Sequence, residues 1–271
     1  MKIRNVLSAA ALCTASMFAI SSCSKEKEAV APVAQDEISQ TVISQIKSMG
    51  LTTDDIKRVE GGYLVEGDIV ISDENLASKP AYQMLRIGDQ EQYRTSNLVS
   101  VGSGRTVSIR VSTTLPSAYV TATDELIRRY NAQNLLIRFV RVTSGGNIVM
   151  SAAPSGSGYL ASAGFPSGGN PYGSVQVNSG AIGTANASTY IATILAHEVG
   201  HCIGFRHTDY MDRSYSCGGA FTNEGASTVG AIHIPGTPTT ANAGSWMLAC
   251  VGSGQNRPFT SSDVTALKYV Y

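Results

Sequence analysis

Residues 197–209 read HEVGHCIGFRHTD, and this stretch decides how the rest of the chain is interpreted. On a helix, His197 and His201 are four residues apart, so their side chains leave the same face about 5 to 6 Å apart at Cβ. Glu198 is turned by about 100° around the helix axis and can reach a water at a shared metal ion without being a ligand. The pair of histidines therefore predicts a metal site, with Glu198 as its general base.

The residues that follow His201 predict a third ligand. Gly204 suits the left-handed position that ends a helix, so the chain can turn sharply and bring His207 to the same ion. Three histidines leave one position open in the tetrahedral coordination of zinc, which is typical of a catalytic site. The pattern HExxHxxGxxH fixes five residue types, and its chance occurrence in a chain of this length is on the order of one in 100,000. We therefore predict zinc as the cofactor, bound by His197, His201 and His207.

These residues carry a family resemblance. HEVGHCIGFRH resembles the zinc-binding motif of the metzincin clan of endopeptidases. RHTDY, with HIPGTP and GSWMLAC further along the chain, is similar to the bacterial dual-action HEIGH metallopeptidase family, although Val199 replaces the Ile of the family's name. The resemblance implies a zinc endopeptidase that acts on proteins or peptides. It also implies that Met247 is the Met-turn residue beneath the ligands, with Trp246 departing from the family's smaller residue.

The apolar pattern of the second half predicts the elements around this motif. Strands are predicted by the runs RTVSIRVST, LLIRFVRVT, GNIVMSA, YLASAGF and GSVQVNS, with a helix over AYVTATDELIRRYNAQ. The metal helix is expected over residues 187–203, and a capped helix from near Ser261 ends the chain. With the resemblance, this order predicts an α+β fold: a metzincin-like catalytic domain with a mixed five-stranded sheet, an active-site helix and a small irregular lower subdomain. The resemblance also implies that residues 159–165 form the sheet edge over the cleft, where an extended substrate can pair.

A small pro-segment is predicted ahead of this domain, over residues 36–93, with the peptidase domain at 94–271. A short amphipathic helix is expected from Asp36 to Met49, followed by a β-hairpin around Gly61 and Gly62. Residues 81–101 have no strong period and are interpreted as the linker between the two parts. Arg86 and Arg94 are its candidate processing points.

Within the predicted hairpin, residues 64–69 read LVEGDI. This run resembles the FxGD motif of astacin-type zymogens, with Val65 where Phe is expected. The resemblance implies that Asp68 occupies the open zinc position and keeps the enzyme latent. The alternative is a Gly-Asp turn at the edge of a strand.

The N-terminus predicts export. Residues 1–22 contain two basic residues and an apolar run that is too short to cross a bilayer, which is typical of a secretory signal. Residues 20–23 resemble a bacterial lipobox, which implies cleavage before Cys23 and lipidation of its thiol; an ordinary signal peptide is the alternative. Residues 23–35 then form a tether rich in charge, Ala and Pro. We predict a lipoprotein held at the outer membrane or cell surface by its N-terminal lipid, or released after processing.

The charge of the chain limits the kinds of partner it can bind, and its cysteines limit the disulfide bonds it can form. Lys and Arg number 20 and are balanced by 20 Asp and Glu, without a basic block, so nothing suggests nucleic acid and we expect none as a partner. We expect a monomer. Export permits a disulfide. We favour a bond between Cys217 and Cys250, because both flank loops after the metal helix. Cys202 is the alternative partner, or else a buried free thiol.

Four other side chains near the motif receive roles. Asp209 is expected to accept a hydrogen bond from a ligand imidazole, and His233 to be structural or to form a wall of the cleft. Tyr210 and Tyr215 are the candidates for stabilising the oxyanion.

Two rival functions fit parts of the sequence. One is a surface lipoprotein that binds peptide or glycan around a structural zinc. The other is a zinc hydrolase that acts on peptidoglycan. Glu198 argues against the first, because a binding module needs no base at that position.

Overall fold

The computed structural model describes residues 38–49, 51–77, 92–221, 223–224, 231–238 and 240–271. The predicted signal peptide, Cys23 and the tether lie outside these ranges, and so does Arg86. All described residues belong to one compact unit, Asp36–Tyr271. Within the described ranges, no helix combines the length and apolarity that a membrane span requires.

Residues 38–77, here called the N-terminal segment, form a small helix and strand layer. Its elements are α1 (Gln40–Ser48), β1 (Lys57–Val59), β2 (Gly62–Val65), β3 (Ile69–Ser72) and α2 (Asp73–Ala77). The three strands form an antiparallel meander. The sequence predicted its first hairpin, whereas the second, whose turn contains Asp68, follows from the β2 and β3 pairing.

The second part of the chain contains the remaining elements. They are β4 (Tyr93–Arg94), β5 (Arg105–Val111), α3 (Ala118–Asn131), β6 (Ile137–Val142), β7 (Ile148–Ala152), β8 (Ala161–Gly164), β9 (Ser174–Val177), α4 (Ser179–Ile182), α5 (Ser188–Cys202), α6 (Ser214–Cys217), β10 (Ile232–His233) and α7 (Ser261–Val270). β5 is parallel to both β6 and β7, β7 is parallel to β9, and β8 is antiparallel to β9. The predicted mixed five-stranded sheet and α+β fold are therefore confirmed.

Alternation along the strands explains the core of this sheet. In β5, Val107 and Ile109 are buried while Thr106 is exposed, and in β6, Ile137 and Phe139 are buried while Arg138 is exposed. This two-residue period points one face of the sheet inward. α3 and α5 pack together on that face and share one apolar cluster with the strands. The packing fixes α5, the helix that contains HEVGH.

The N-terminal segment extends the sheet rather than standing apart from it. β3 pairs in parallel with β8, with Ile69 opposite Ala163 and Val70 opposite Gly164. The strand order is consequently β1-β2-β3-β8-β9-β7-β5-β6. β8, which was predicted to be the open edge over the cleft, is covered in this form of the chain.

Residues 92–101 differ from their predicted role as a linker. Gln92, Tyr93 and Thr95 are almost fully buried, and β4 pairs with β10 in a second, two-stranded sheet. The sequence showed no alternation of apolar and polar residues here, because β4 contains only two residues. Arg94 lies in that strand, so a protease cannot bind it in extended form unless β4 leaves β10.

Candidate metal centre

The side chains of three histidines meet with their Nε2 atoms facing one another. His201 Nε2 lies 3.0 Å from His197 Nε2 and 3.2 Å from His207 Nε2. Asp68 Oδ2 completes the group, at 3.1 Å from His207 Nε2 and 3.5 Å from His197 Nε2. All four ligand atoms lie within 4.8 Å of one another.

This spacing fits a tetrahedral zinc ion. Nitrogen and oxygen ligands lie about 2.0–2.1 Å from zinc, so two ligand atoms of a tetrahedral site are about 3.3 Å apart. The four separations given above, 3.0 to 3.5 Å, are close to that value. Three imidazoles and one carboxylate are also the donor types that zinc prefers. These residues would hold zinc.

Gly204 explains how the third histidine reaches the other two. Its φ is +108°, and a Cβ at this position would lie 2.8 Å from Leu98 Cδ2 and 2.9 Å from the Asn97 carbonyl oxygen. Only glycine accepts both this conformation and this close approach. The Gly204 N–H donates to the His201 carbonyl at 2.9 Å, which ends α5 and turns the chain toward His207.

Each histidine is oriented through its other ring nitrogen. His197 Nδ1 donates to the Trp246 carbonyl at 3.0 Å, and His201 Nδ1 donates to the Phe205 carbonyl at 2.8 Å. His207 Nδ1 donates to Glu224 Oε1 at 2.9 Å. With its proton on Nδ1, each ring presents the Nε2 lone pair to an ion.

Glu224 therefore has the role that was predicted for Asp209. Asp209 instead accepts hydrogen bonds from Ser216 Oγ at 2.5 Å and from the Ala249 N–H at 2.9 Å. Glu224 carries no local motif, so only the folded chain identifies it.

The negative charges around His207 favour a cation at this centre. Burial lowers the pKa of His207, but the carboxylates of Asp68 and Glu224 outweigh it and hold the pKa well above its usual range. Burial by itself would raise the pKa of Asp68, yet His207 and His197 hold it well below its ordinary value. Burial and the two neighbouring rings lower the pKa of His201. Asp68 is thus an anion facing the histidines.

Glu198 faces the same space. Its side chain is buried, and its Oε2 has no hydrogen-bond partner among the described residues. Burial first, and then the negative charge of Asp68, raise its pKa well above the ordinary value, against the opposing effect of His207. A carboxyl group of this kind is suited to exchanging a proton at the centre.

Met247 lies beneath α5. It is fully buried, and a Cβ on Gly200 would lie 2.4 Å from its sulfur. The Thr208 N–H donates to the Met247 carbonyl at 2.9 Å, which joins this turn to the chain after His207. The indole N–H of Trp246 donates to the Ala196 carbonyl at 3.3 Å, so the larger residue fits the turn.

The disulfide and the remaining predicted residues lie around this core. Cys217 is bonded to Cys250, with Cα atoms 5.1 Å apart, and Cys202 is a buried free thiol. His233 Nε2 lies 3.0 Å from Thr237 Oγ1, away from the other three histidines. Tyr210 is buried against Tyr93, at 4.3 Å between ring centroids, and Tyr215 is half exposed. Neither tyrosine lines the cavity beside Glu198.

A buried ionic cluster that the sequence did not predict joins the N-terminal segment to the centre. Glu66 Oε2 lies 3.3 Å from Arg206 Nη2, which lies 3.7 Å from Glu224 Oε2. Arg213 lies 3.2 Å from Glu224 Oε1 and donates to the Glu66 carbonyl. Burial and Glu224 raise the pKa of Glu66, while Arg206 opposes that shift. In the sequence, the cluster is indicated only by the positions of two members: Glu66 is two residues from Asp68, and Arg206 directly precedes His207.

Comparisons with known proteins agree with this centre. The family model for the dual-action HEIGH metallo-peptidase matches residues 63–271. A search of curated proteins gave no match.

Solved structures resemble the chain only weakly. Myroilysin is 14% identical with a TM-score of 0.38, over 63% of this chain and 81% of its own. High choriolytic enzyme 1, a hatching enzyme zinc-protease from Oryzias latipes, the medaka fish, is 16% identical with a TM-score of 0.34, over 64% of this chain and 92% of its own. Likeness at this level carries no mechanism from one protein to the other.

The family match includes both the histidine motif and the turn at Met247. Together with the donor set at the centre, it identifies zinc as the cofactor and peptide-bond hydrolysis as the activity. The chain belongs to the dual-action HEIGH metallo-peptidase family.

Proposed function

We propose that the chain is the latent precursor of a zinc endopeptidase, with Glu198 as general base and Asp68 as a blocking ligand. The observation that carries this proposal is the position of Asp68 Oδ2, 3.1 Å from His207 Nε2 and 3.5 Å from His197 Nε2. Three histidines leave one position for water in a catalytic zinc site. A carboxylate at that position excludes the water that hydrolysis requires.

Zinc held by His197, His201 and His207 supplies a Lewis acid that polarises the scissile carbonyl and lowers the pKa of water. Glu198 takes a proton from the attacking water while the water oxygen forms a bond to the carbonyl carbon. Glu198 then donates that proton to the amine nitrogen as the C–N bond breaks. This transfer restores the Glu198 carboxylate, and the new carboxyl group gives its own proton to the released amine or to solvent.

The pairing of β3 with β8 supports latency by a second route. An extended substrate can add to an open sheet edge through main-chain hydrogen bonds, and β8 is the edge strand of the five-stranded sheet. In the described chain, Ile69 and Val70 already pair with it. Displacement of the N-terminal segment would therefore open both the metal and the strand.

The experiment that tests catalysis compares Glu198→Gln with the parent after limited proteolysis has removed the N-terminal segment. General-base catalysis contributes about 10²–10⁴-fold, so kcat/KM on casein-derived peptides should fall by that factor while the zinc content stays constant. Equal activity of variant and parent would contradict the role of Glu198. Cell-wall material assayed in parallel separates a peptidase from a peptidoglycan hydrolase.

For cellular placement, the lipobox-like residues 20–23 support a lipoprotein anchored through Cys23 at the outer membrane or cell surface. Cys23→Ser should then abolish labelling by a fatty-acid analogue and move the protein out of the membrane fraction. Labelling that survives the substitution would contradict the anchor.

A further inference from the structure

A cavity of about 260 Å³ lies beside the metal centre. His197 and Glu198 form part of its wall, and Gly67 and Asp68 close it from the side of the N-terminal segment. Its apolar lining is provided by Leu160, Ala161, Ile194, Leu248 and Val251. A peptide whose scissile carbonyl reaches Glu198 would place a neighbouring side chain in this cavity.

Arg257 lines the cavity and contains a buried N–H group without a hydrogen-bond partner among the described residues. Its Nη1 donates to the Cys250 carbonyl at 2.8 Å, and its Nη2 donates to Gln255 Oε1 at 3.1 Å. Its Nε is buried and has no hydrogen-bond partner among the described residues. A buried donor without an acceptor costs free energy, so the guanidinium of Arg257 has hydrogen-bonding capacity that the described chain does not use.

The charge of Arg257 is also incompletely balanced. Burial lowers the pKa of Arg257, and the negative charge of Asp209 only partly offsets this effect. The acceptors that its guanidinium contacts, a carbonyl and an amide oxygen, carry no formal charge. The second guanidinium of the cavity, Arg213, differs because it pairs with Glu224 at 3.2 Å.

Removal of the N-terminal segment would shift this balance further. The cavity wall contains two carboxylates, Asp68 and Glu198, and two guanidinium groups, Arg213 and Arg257. Asp68 leaves with the segment, so one carboxylate would remain with two guanidinium groups. Arg213 keeps its pairing with Glu224, so Arg257 is the guanidinium of the opened cavity whose described acceptors are all neutral.

We propose that this cavity binds the side chain of an Asp or Glu of the substrate, adjacent to the scissile bond, and that Arg257 holds its carboxylate. The apolar wall contacts the methylene groups, and the guanidinium donates charge-assisted hydrogen bonds, which are stronger than neutral ones. A site built to donate to a substrate group discriminates against a substrate that lacks it. This inference rests on the proposed peptidase function and names the substrate class of the same site.

The test uses the full-length protein after activation by limited proteolysis, with zinc present and the activating protease inhibited. Cleavage sites in a mixed peptide library give the preferred position, and two peptides that differ only as Asp or Asn at that position give the ratio of kcat/KM. We expect the parent to prefer Asp by about 10- to 100-fold. Arg257→Gln should bring the ratio close to one, and Arg257→Lys should retain part of it.

A purely structural role of Arg257 gives a different result. Loss of its contact with the Cys250 carbonyl would lower the rates on both peptides equally and leave the ratio unchanged, which would overturn the proposal. Arg141→Gln is the matched control, because Arg141 pairs with Asp124 at 2.6 Å on β6, the far edge strand of the sheet. The control should keep the parent ratio.

Two results for the parent distinguish a failure of the acidic preference from a failure of the proposed peptidase function. A parent that cleaves peptides without an acidic preference overturns the role of the cavity alone. A zinc-loaded, activated parent that cleaves neither library nor casein overturns the proposed function as well.

Discussion

The N-terminal segment and the five-stranded part of the chain share one sheet, but they are stabilised differently. Strands β5, β6, β7 and β9 are packed under α3 and α5 in a single large apolar cluster. The N-terminal segment has a small cluster of its own, to which Phe165 is the contribution of the second part. Its pairing with the five-stranded part, between β3 and β8, consists of two residue pairs, Ile69 with Ala163 and Val70 with Gly164.

What binds the segment most specifically is polar and lies at the metal centre. Asp68 faces His207 and His197, and Glu66 faces Arg206. A segment attached in this way can leave without exposing the core that positions α5. The comparison teaches that the scaffold of the site and the proposed block on it depend on different interactions, which substitutions can separate.

The largest expected effect, on zinc content and activity, comes from removing one histidine ligand of the metal centre. His201→Asn removes the ligand whose Nε2 lies within 3.2 Å of both other imidazoles. After activation has removed Asp68, two imidazoles remain where a catalytic zinc site has three protein ligands. We therefore expect the activated variant to lose stoichiometric zinc and its activity to fall to background. Metal analysis after dialysis and a peptide assay measure both effects.

His233→Asn is the matched control for that substitution. His233 lies away from the Nε2 cluster and bonds Thr237, so zinc content should equal that of the parent. Loss of zinc in the His233 variant, or full zinc in the His201 variant, would contradict the assignment of ligands.

A smaller effect is expected at the polar joint between the two regions. Arg206→Met leaves the buried carboxylates of Glu66 and Glu224 without the guanidinium that lies between them. Removing one partner of a buried ion pair costs about 3–5 kcal/mol, so the free energy of unfolding of the precursor should fall by that amount in urea titrations. Glu66→Gln in the same chain should recover part of the loss.

The matched control removes an exposed pair from the same segment. Arg58 and Asp73 form an ion pair at 2.6 Å with both side chains about half exposed. Exposed pairs contribute little to stability, so Arg58→Met should leave the unfolding midpoint unchanged. If Arg206→Met also left it unchanged, the buried cluster would not hold the segment.

The scaffold could be predicted from the sequence because its signals are local. The i and i+4 spacing of His197 and His201, the left-handed Gly204 and the two-residue period of β5 each depend on neighbours in sequence. Strong local patterns of this kind agree with the global fold. The five strands and the metal helix followed from them.

The remaining features depend on contacts between distant residues. Glu224 meets His207 from a stretch without a motif, and the wrong choice of Asp209 shows that closeness in sequence does not predict a hydrogen bond to a ligand ring. Arg257 reaches the cavity 59 residues after Glu198, since 257 − 198 = 59. The parallel pairing of β3 with β8 could not be predicted either, because the pattern of apolar residues in a strand does not specify which strand it pairs with.

The most direct test of the account is the peptidase activity of intact, unprocessed Asp68→Ala with zinc bound. Asp68 links the two regions at the three histidines, and under the proposed function its removal opens the fourth zinc position without cutting the chain. We predict activity on casein well above that of the unprocessed parent, and none in the Asp68→Ala, Glu198→Gln double variant. An Asp68→Ala protein as inactive as the unprocessed parent, while the proteolytically activated parent is active, would contradict the role of Asp68 as the block.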